Sequence, residues 1–289
     1  MTVFEVLNWA TECFKEGRTE NPRLNAELLL AHSLNLTREG LYVHLHDPVE
    51  VKEKKAMEAL IKRRLSGEPL QYILGHQEFW SIDIQVDPRV LIPRPETELL
   101  VEEALRVLFK MDSERTPTVL EIGTGSGAIS IALAREVTNI FLVATDISGE
   151  AVRAAGSNAR GAGVSGRIAF IHGDLFNPFR HLEGKEPFDI ILSNPPYIVR
   201  SEMEHLEREV KDFEPTIALD GGEDGLDVHR NLIFQGPKYL RRGGWFLLEV
   251  GQGQSGEISR ILETNGNFGH IVRVKDLSGI ERVVRAQKK

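Results

Sequence analysis

Between Thr118 and Gly127 a short apolar run, TVLEI, passes directly into Gly123-Thr124-Gly125-Ser126-Gly127, and a helix-forming stretch begins at Ala128. A buried strand that ends in glycines and opens a helix is one half of a βαβ unit. The alternation then repeats. Strands are expected at Ile140–Asp146, Ile168–His172, Phe188–Ser193, Trp245–Val250, Ile271–Val274 and Arg282–Arg285. Helices fall between several of them, at Ala128–Arg135, Glu150–Arg160 and Leu226–Leu240. Strands separated by helices need crossover connections, so the expected product is a mostly parallel sheet covered on both faces. Ligands of such sheets bind beyond the carboxyl ends of the strands.

The chain before residue 75 reads differently. Leu24, Leu28, Leu29 and Ala31 recur at helical spacing, and Val51–Leu65 is rich in Lys, Glu, Ala, Leu and Ile. The period then shifts to two: Trp80, Ile82, Ile84 and Val86 alternate with Ser81, Asp83, Gln85 and Asp87. Asp87-Pro88 is expected to turn this strand, with Val90-Leu91-Ile92 returning as its hairpin partner before Pro93 and Pro95. These signals divide the chain into a helical domain (1–75), a hairpin linker (76–95) and a sheet domain (96–289).

Composition narrows the class of protein. With 289 residues, 41% apolar and 27% charged, the chain is long enough for two domains with real cores. Lys and Arg number 35 against 43 Asp and Glu, a formal charge of −8, which argues against phosphate neutralisation as its main mode of binding. Local bases do occur at Lys62, Arg63, Arg64, Arg241 and Arg242. One cysteine, Cys13, allows no internal disulfide and no cysteine-built zinc site, and it reads as a core residue of an N-terminal helix. The opening MTVFEVLNWATECFKEG carries Glu5 and Glu12 and does not read as a signal peptide. A cytoplasmic protein without membrane or metal is expected.

The residues beyond the strand ends carry the chemistry. Glycines at 123, 125 and 127 let a ligand approach the backbone, and the following helix adds N–H donors. Gly123, Gly125 and Ala128 also satisfy a dinucleotide pattern, so the loop alone does not separate nicotinamide from other nucleosides. Asp146 can accept from ribose hydroxyls or cap the next helix. Asp174 can receive an adenine amine or sit in a surface loop. Phe188–Ser193 ends in Asn194-Pro195-Pro196-Tyr197. The prolines stiffen this turn, so that the Asn194 side-chain oxygen and the Pro195 carbonyl can act as paired acceptors for an NH2 group. Tyr197 offers an aromatic face for a planar amide or base.

The order E-x-G-x-G-x-G, an acid after the second strand, then N-P-P-Y, resembles the class I S-adenosylmethionine-dependent methyltransferases that act on planar nitrogen. One branch is matched along nearly the whole chain, the peptide chain release factor glutamine N5-methyltransferases of the PrmC/HemK family. The matching segments are Gly67–Gly75, Leu91–Glu98, Asn194–Ile198, Phe213–Leu219, Gly221–Leu226 and Asp276–Arg282. The resemblance implies a doubly wound, seven-stranded, mostly parallel α/β sheet of Rossmann-like type. It implies S-adenosyl-L-methionine as cofactor, bound by Glu121, Gly123, Thr124, Gly125, Ser126, Gly127, Asp146, Asp174, Leu175 and Asn194. Catalysis would fall to Asn194, Pro195, Pro196 and Tyr197, with Leu91–Glu98 walling the substrate side. The implied partner is a release factor, docked by residues 1–75, with no direct nucleic-acid contact expected; the sequence does not give the oligomeric state, and a monomer is favoured.

Several alternatives remain open on sequence. Arg94 and Glu96 could form a structural ion pair bracing the Pro93/Pro95 turn. Glu249, Gly251 and His172 read as strand-end residues. A methyltransferase of DNA or RNA base amines would use the same N-P-P-Y chemistry. A nicotinamide dehydrogenase is permitted by the glycine loop but has no use for Asn194-Pro-Pro-Tyr197. A non-catalytic cofactor-binding protein would not need an intact Asn194.

Overall fold

A computed structural model describes residues 1–111 and 115–289. The chain forms two compact units, Met1–His76 with Glu207–Phe213, and Gln77–Leu206 with Glu214–Lys289.

The first unit is helical: α1 (Val3–Glu16), α2 (Pro22–Leu34), α3 (Arg38–Val43), α4 (Val51–Leu65) and α5 (Leu70–Leu74). Thr2 and Glu5 cap the start of α1 reciprocally, each side chain bonding the other's backbone N–H. Val6, Leu7, Ala10 and Phe14 of α1 meet Leu29 and Leu30 of α2 and Met57 and Ile61 of α4 in one apolar cluster. Cys13 lies half-buried at the edge of that cluster rather than inside it. Beside it, the buried Glu27 carboxylate accepts from Arg23 (2.8 Å), Arg38 (2.7 Å) and the Tyr42 hydroxyl (2.5 Å).

The second unit opens with a hairpin whose position differs from the sequence expectation. Its strands are β1 (His76–Phe79) and β2 (Ile82–Gln85), and the turn is Trp80-Ser81. Both turn residues have φ of +53°, the backbone that matches the twist of two paired strands. The partner of β2 therefore precedes it, and Val90-Leu91-Ile92 forms no strand. The Ile92 N–H is used elsewhere, donating to Glu214 Oε2 at 3.3 Å. Ile82 and Ile84 are buried as the alternation required, while Trp80 is held at the turn by its indole N–H on Glu136 (2.8 Å).

The large sheet follows α6 (Glu98–Leu108). Its elements are β3 (Thr118–Ile122), α7 (Ala128–Glu136), β4 (Phe141–Asp146), α8 (Gly149–Gly161), β5 (Ile168–His172) and β6 (Phe188–Ser193). The short α9 (Arg208–Lys211) belongs to the first unit, where Arg64 of α4 pairs with Glu209 at 2.8 Å. Then come α10 (Asp227–Gln235), β7 (Leu240–Glu249), α11 (Ser255–Asn265), β8 (Phe268–Lys275) and β9 (Glu281–Lys288). The seven strands lie in the order β5-β4-β3-β6-β7-β9-β8. β3 to β7 run parallel, and β9 is antiparallel to both its neighbours.

β3 and β6 are buried on both faces, which is why they read as unbroken apolar runs instead of alternating ones. β7 starts earlier than expected, at Leu240, because Gly236-Pro237 ends the preceding helix and Leu240 pairs with Phe188. The two arginines and two glycines at 241–244 hide that start in the sequence. From β3 the chain steps outward to β4 and β5, then crosses back to place β6 on the other side of β3. That reversal opens a crevice at the carboxyl ends of β3 and β6. Across it the Ser193 hydroxyl donates to the Ile122 carbonyl at 2.7 Å.

Candidate active site

A cavity of about 270 Å³ occupies this crevice, walled by the loops after β3, β4, β5 and β6 together with Leu91–Thr97 and Ile217–Asp220. The glycine loop after β3 is tied to the end of β4. Gly123 and Thr124 N–H groups donate to the Thr145 carbonyl (2.8 and 2.9 Å), and the Gly125 N–H donates to Asp146 Oδ2 (2.8 Å). Gly125 has φ +55° and open space where a Cβ would stand, so its bare backbone is a piece of the cavity wall. Gly127 has another task. A Cβ there would lie 3.0 Å from that of Ala155, so this glycine lets α7 and α8 approach, and it does not line the cavity. Asn158 of α8 stabilises the same loop: its amide donates to the Ser126 carbonyl (2.9 Å) and to Gln85 of β2 (3.0 Å). Its sequence context, GSNAR, resembles any exposed helix face and carried no signal.

Glu121 lies under the loop and outside the cavity wall, in place of the cofactor-facing position expected. Burial pushes its carboxyl up to about 7, opposed by hydrogen bonds from the Ser130 and Thr124 hydroxyls, the latter at 3.0 Å. It therefore braces the loop against the first turn of α7.

Asp146 lines the cavity at the end of β4, its oxygens accepting from Gly125 and from the Ser148 N–H (2.8 Å each). Burial raises its pKa despite those two donors. The helix cap considered for Asp146 is supplied by Ser148, whose hydroxyl accepts from the Ala151 N–H. Asp174 and Leu175 also line the cavity. Leu175 holds φ +47°, a costly backbone for a leucine, and packs at the same time against the sheet core. His172 stays outside, its Nε2 3.0 Å from the Ile147 carbonyl.

On the opposite wall, Asn194 donates from Nδ2 to the Thr97 hydroxyl at 3.1 Å. Thr97 is 4% exposed, and its hydroxyl favours the ionised form of the neighbouring Glu249 carboxylate, which is 2% exposed at the end of β7. Among the described residues no donor bonds Asn194 Oδ1 or the Pro195 carbonyl. Glu249, expected to serve only the sheet end, thus stands beside the hydroxyl that Asn194 uses. Pro195 and Pro196 line the cavity, but Tyr197 does not. Its ring lies against Gly251, where a Cβ would come within 3.1 Å of Tyr197 Cδ2, and its carbonyl accepts from Gln254 at 2.9 Å. Burial and the nearby Glu249 push the Tyr197 phenol up to about 12, so it stays protonated.

Arg94 pairs with Glu214 at 2.5 Å and not with Glu96, which is exposed. Glu214 is the partner missed on sequence, and it ties Leu91–Glu98 to the segment carrying Ile217 and Ala218 into the wall.

Strand order, glycine loop and the acids at successive strand ends define a methyltransferase of the class I fold. Residues 113–278 match the family described as a methyltransferase domain, and residues 5–75 match that described as the PrmC N-terminal domain. A release factor glutamine methyltransferase of Geobacter sulfurreducens is 42% identical over 98% of this chain and 95% of its own length. One of Koribacter versatilis is 41% identical over 100% and 99%. A solved methyltransferase of Pyrococcus furiosus shares the fold, with a TM-score of 0.51 at 19% identity over 72% of this chain and 89% of its own. The chain belongs to the release factor glutamine methyltransferase family.

Proposed function

We propose that this protein transfers a methyl group from S-adenosyl-L-methionine to the side-chain amide nitrogen of the Gly-Gly-Gln glutamine in peptide chain release factors. The observation that carries this reading is the Asn194 amide, committed through Nδ2 to Thr97 and with no donor on Oδ1 among the described residues, beside the cavity.

The cavity suits the cofactor. Asp146 and Asp174 are acceptors for ribose hydroxyls and an adenine amine, Ile147, Leu175 and Val228 are apolar walls for a base, and the open space at Gly125 admits a ligand to the backbone. When bound, S-adenosylmethionine supplies an electrophilic methyl group on a positively charged sulfur. The protein's part is to hold the nucleophile. A carboxamide nitrogen is weakly nucleophilic because its lone pair is delocalised into the carbonyl. Asn194 Oδ1 and the Pro195 carbonyl take its two N–H bonds and aim the nitrogen at the methyl group. Orientation of this kind is worth about 7–11 kcal/mol in favourable cases. The same two acceptors stabilise the positive charge developing on nitrogen, and the surplus proton then passes to water.

A protein substrate fits the charge. Of the bases that could have formed a nucleic-acid patch, Arg63 is paired with Glu68 (2.5 Å), Arg64 with Glu209 (2.8 Å) and Arg241 lies 3.6 Å from Asp189. The helical residues 1–75 are the proposed docking element for the factor.

The test supplies the enzyme with labelled S-adenosylmethionine and offers a release factor, DNA and RNA separately. Label is expected on the factor, and label on nucleic acid alone would contradict the proposal. Asn194→Ala should lower turnover by about 100-fold or more while leaving cofactor affinity nearly unchanged. Normal turnover would remove Asn194 from the mechanism.

A further inference from the structure

A side-chain amide has two faces that look alike to packing and opposite to a substrate. If Asn194 turned over, its NH2 would face the substrate NH2, two donors would meet, and the site would bind nothing. Something must therefore set which way the amide lies. The Asn194–Thr97–Glu249 chain has the chemistry to do so.

The Thr97 hydroxyl has one proton to give. When ionised, the neighbouring Glu249 carboxylate only accepts, so it draws that proton and leaves the Thr97 oxygen able to accept alone. Asn194 must then present Nδ2 to Thr97, and Oδ1 is left on the cavity side. Both supports are buried, so water cannot substitute for either. We propose that Thr97, backed by Glu249, is a positioning residue for methyl transfer: it fixes the Asn194 amide with its carbonyl oxygen toward the substrate nitrogen. The proposal rests on the reading that Asn194 receives the substrate amide.

Thr97 has no contact with the transferred group in this scheme, so its effect should appear in kcat. It also has a pH dependence. Burial holds Glu249 up to about 7, with Arg282 and Arg94 favouring its ionised form and Glu96 opposing it. Tyr197 stays neutral nearby, and His229 holds the Glu249 main-chain carbonyl through Nε2 at 2.8 Å. His229 is itself kept neutral by burial, with a pKa lowered to about 4. Once Glu249 is protonated it no longer requires the Thr97 proton. Thr97 can then donate to Asn194 Oδ1 and turn the amide over. Turnover should therefore fall toward acid with a midpoint near 7.

The experiment measures kcat, KM for the release factor and cofactor Kd in the full chain carrying Thr97→Val, Thr97→Ser, Asn194→Ala, and Thr97→Val with Asn194→Ala. Thr97→Val should lower kcat about 10-fold or more with Kd within about 3-fold, and Thr97→Ser should restore kcat to within about 3-fold. In the Asn194→Ala background Thr97→Val should cost nothing further, whereas a purely structural role would cost the same in both. Glu249→Gln, which keeps an acceptor for Thr97, should lose the acid limb of the pH profile. Normal kcat in Thr97→Val beside a crippled Asn194→Ala overturns the positioning role alone. An equally slow Thr97→Ser, or an additive double variant, overturns it as well. Full activity in Asn194→Ala overturns the reading beneath it.

Discussion

Arg94 and Glu214 form an ion pair at 2.5 Å although 120 residues of sequence separate them. Glu214 is 1% exposed on its side chain and uses its second oxygen on the Ile92 N–H, so one carboxylate clamps the Pro93–Pro95 turn. Arg94→Ala would take this cation away from a buried carboxylate. Since Arg94 itself is one-third exposed, the expected cost is about 1–3 kcal/mol in urea unfolding. Glu214→Gln, which retains an acceptor for Ile92, should cost less. Equal losses in the two variants would show that charge is not what holds the segment.

Asp146 is expected to contribute to cofactor affinity. Asp146→Ala removes a charged acceptor and frees the Gly125 and Ser148 N–H groups that it holds. Calorimetric titration should show binding weakened by about 10- to 100-fold, with Asp146→Asn in between. Unchanged affinity in Asp146→Ala would confine Asp146 to bracing the loop.

The glycines should separate by function. Gly127→Val drives a side chain against Ala155 at a backbone angle of φ +85°, so the melting temperature should fall, by an amount matching about 2 kcal/mol or more. Gly125→Ala faces open space and pays only for its φ of +55°, about 1 kcal/mol, so the protein should fold while cofactor binding weakens. Thermal melts and binding isotherms of the two variants should therefore rank in opposite order.

Glu121 carries a pH signature. Its folded pKa, raised to about 7, lies above the unfolded value of 4.5, so the folded state binds the extra proton between them. Its contribution to stability is complete below 4.5 and lost as pH rises through 7. Glu121→Gln keeps an acceptor for Thr124 and Ser130 but does not titrate. Between pH 6 and pH 8.5 the variant should gain on the wild type by on the order of 1 kcal/mol in urea unfolding. A constant difference across that range would mean that Glu121 is not held up by burial.

The sheet was legible because β3 and β6, buried on both faces, leave continuous apolar runs, and because the glycines and acids follow them in the chain. The hairpin was not, because β1, His76–Phe79, carries Gln77 and Glu78 and shows no apolar alternation. Trp80 extended the alternation by one place and hid a turn. The glycine loop and N-P-P-Y were visible as motifs, but their supports were not. Asn158, Glu214 and the Thr97–Glu249 pair are ordinary polar residues whose meaning arises only when distant segments meet. Tyr197 shows the converse: a motif residue held outside the cavity wall by Gly251 and Gln254.

The most direct measurement digests a release factor after reaction and locates the methyl group by tandem mass spectrometry. The expected result is one added methyl group on the side-chain nitrogen of the Gly-Gly-Gln glutamine, absent when that glutamine is replaced and greatly reduced with Asn194→Ala enzyme. A methyl group on any other residue, or one that persists after the glutamine is replaced, would contradict the account.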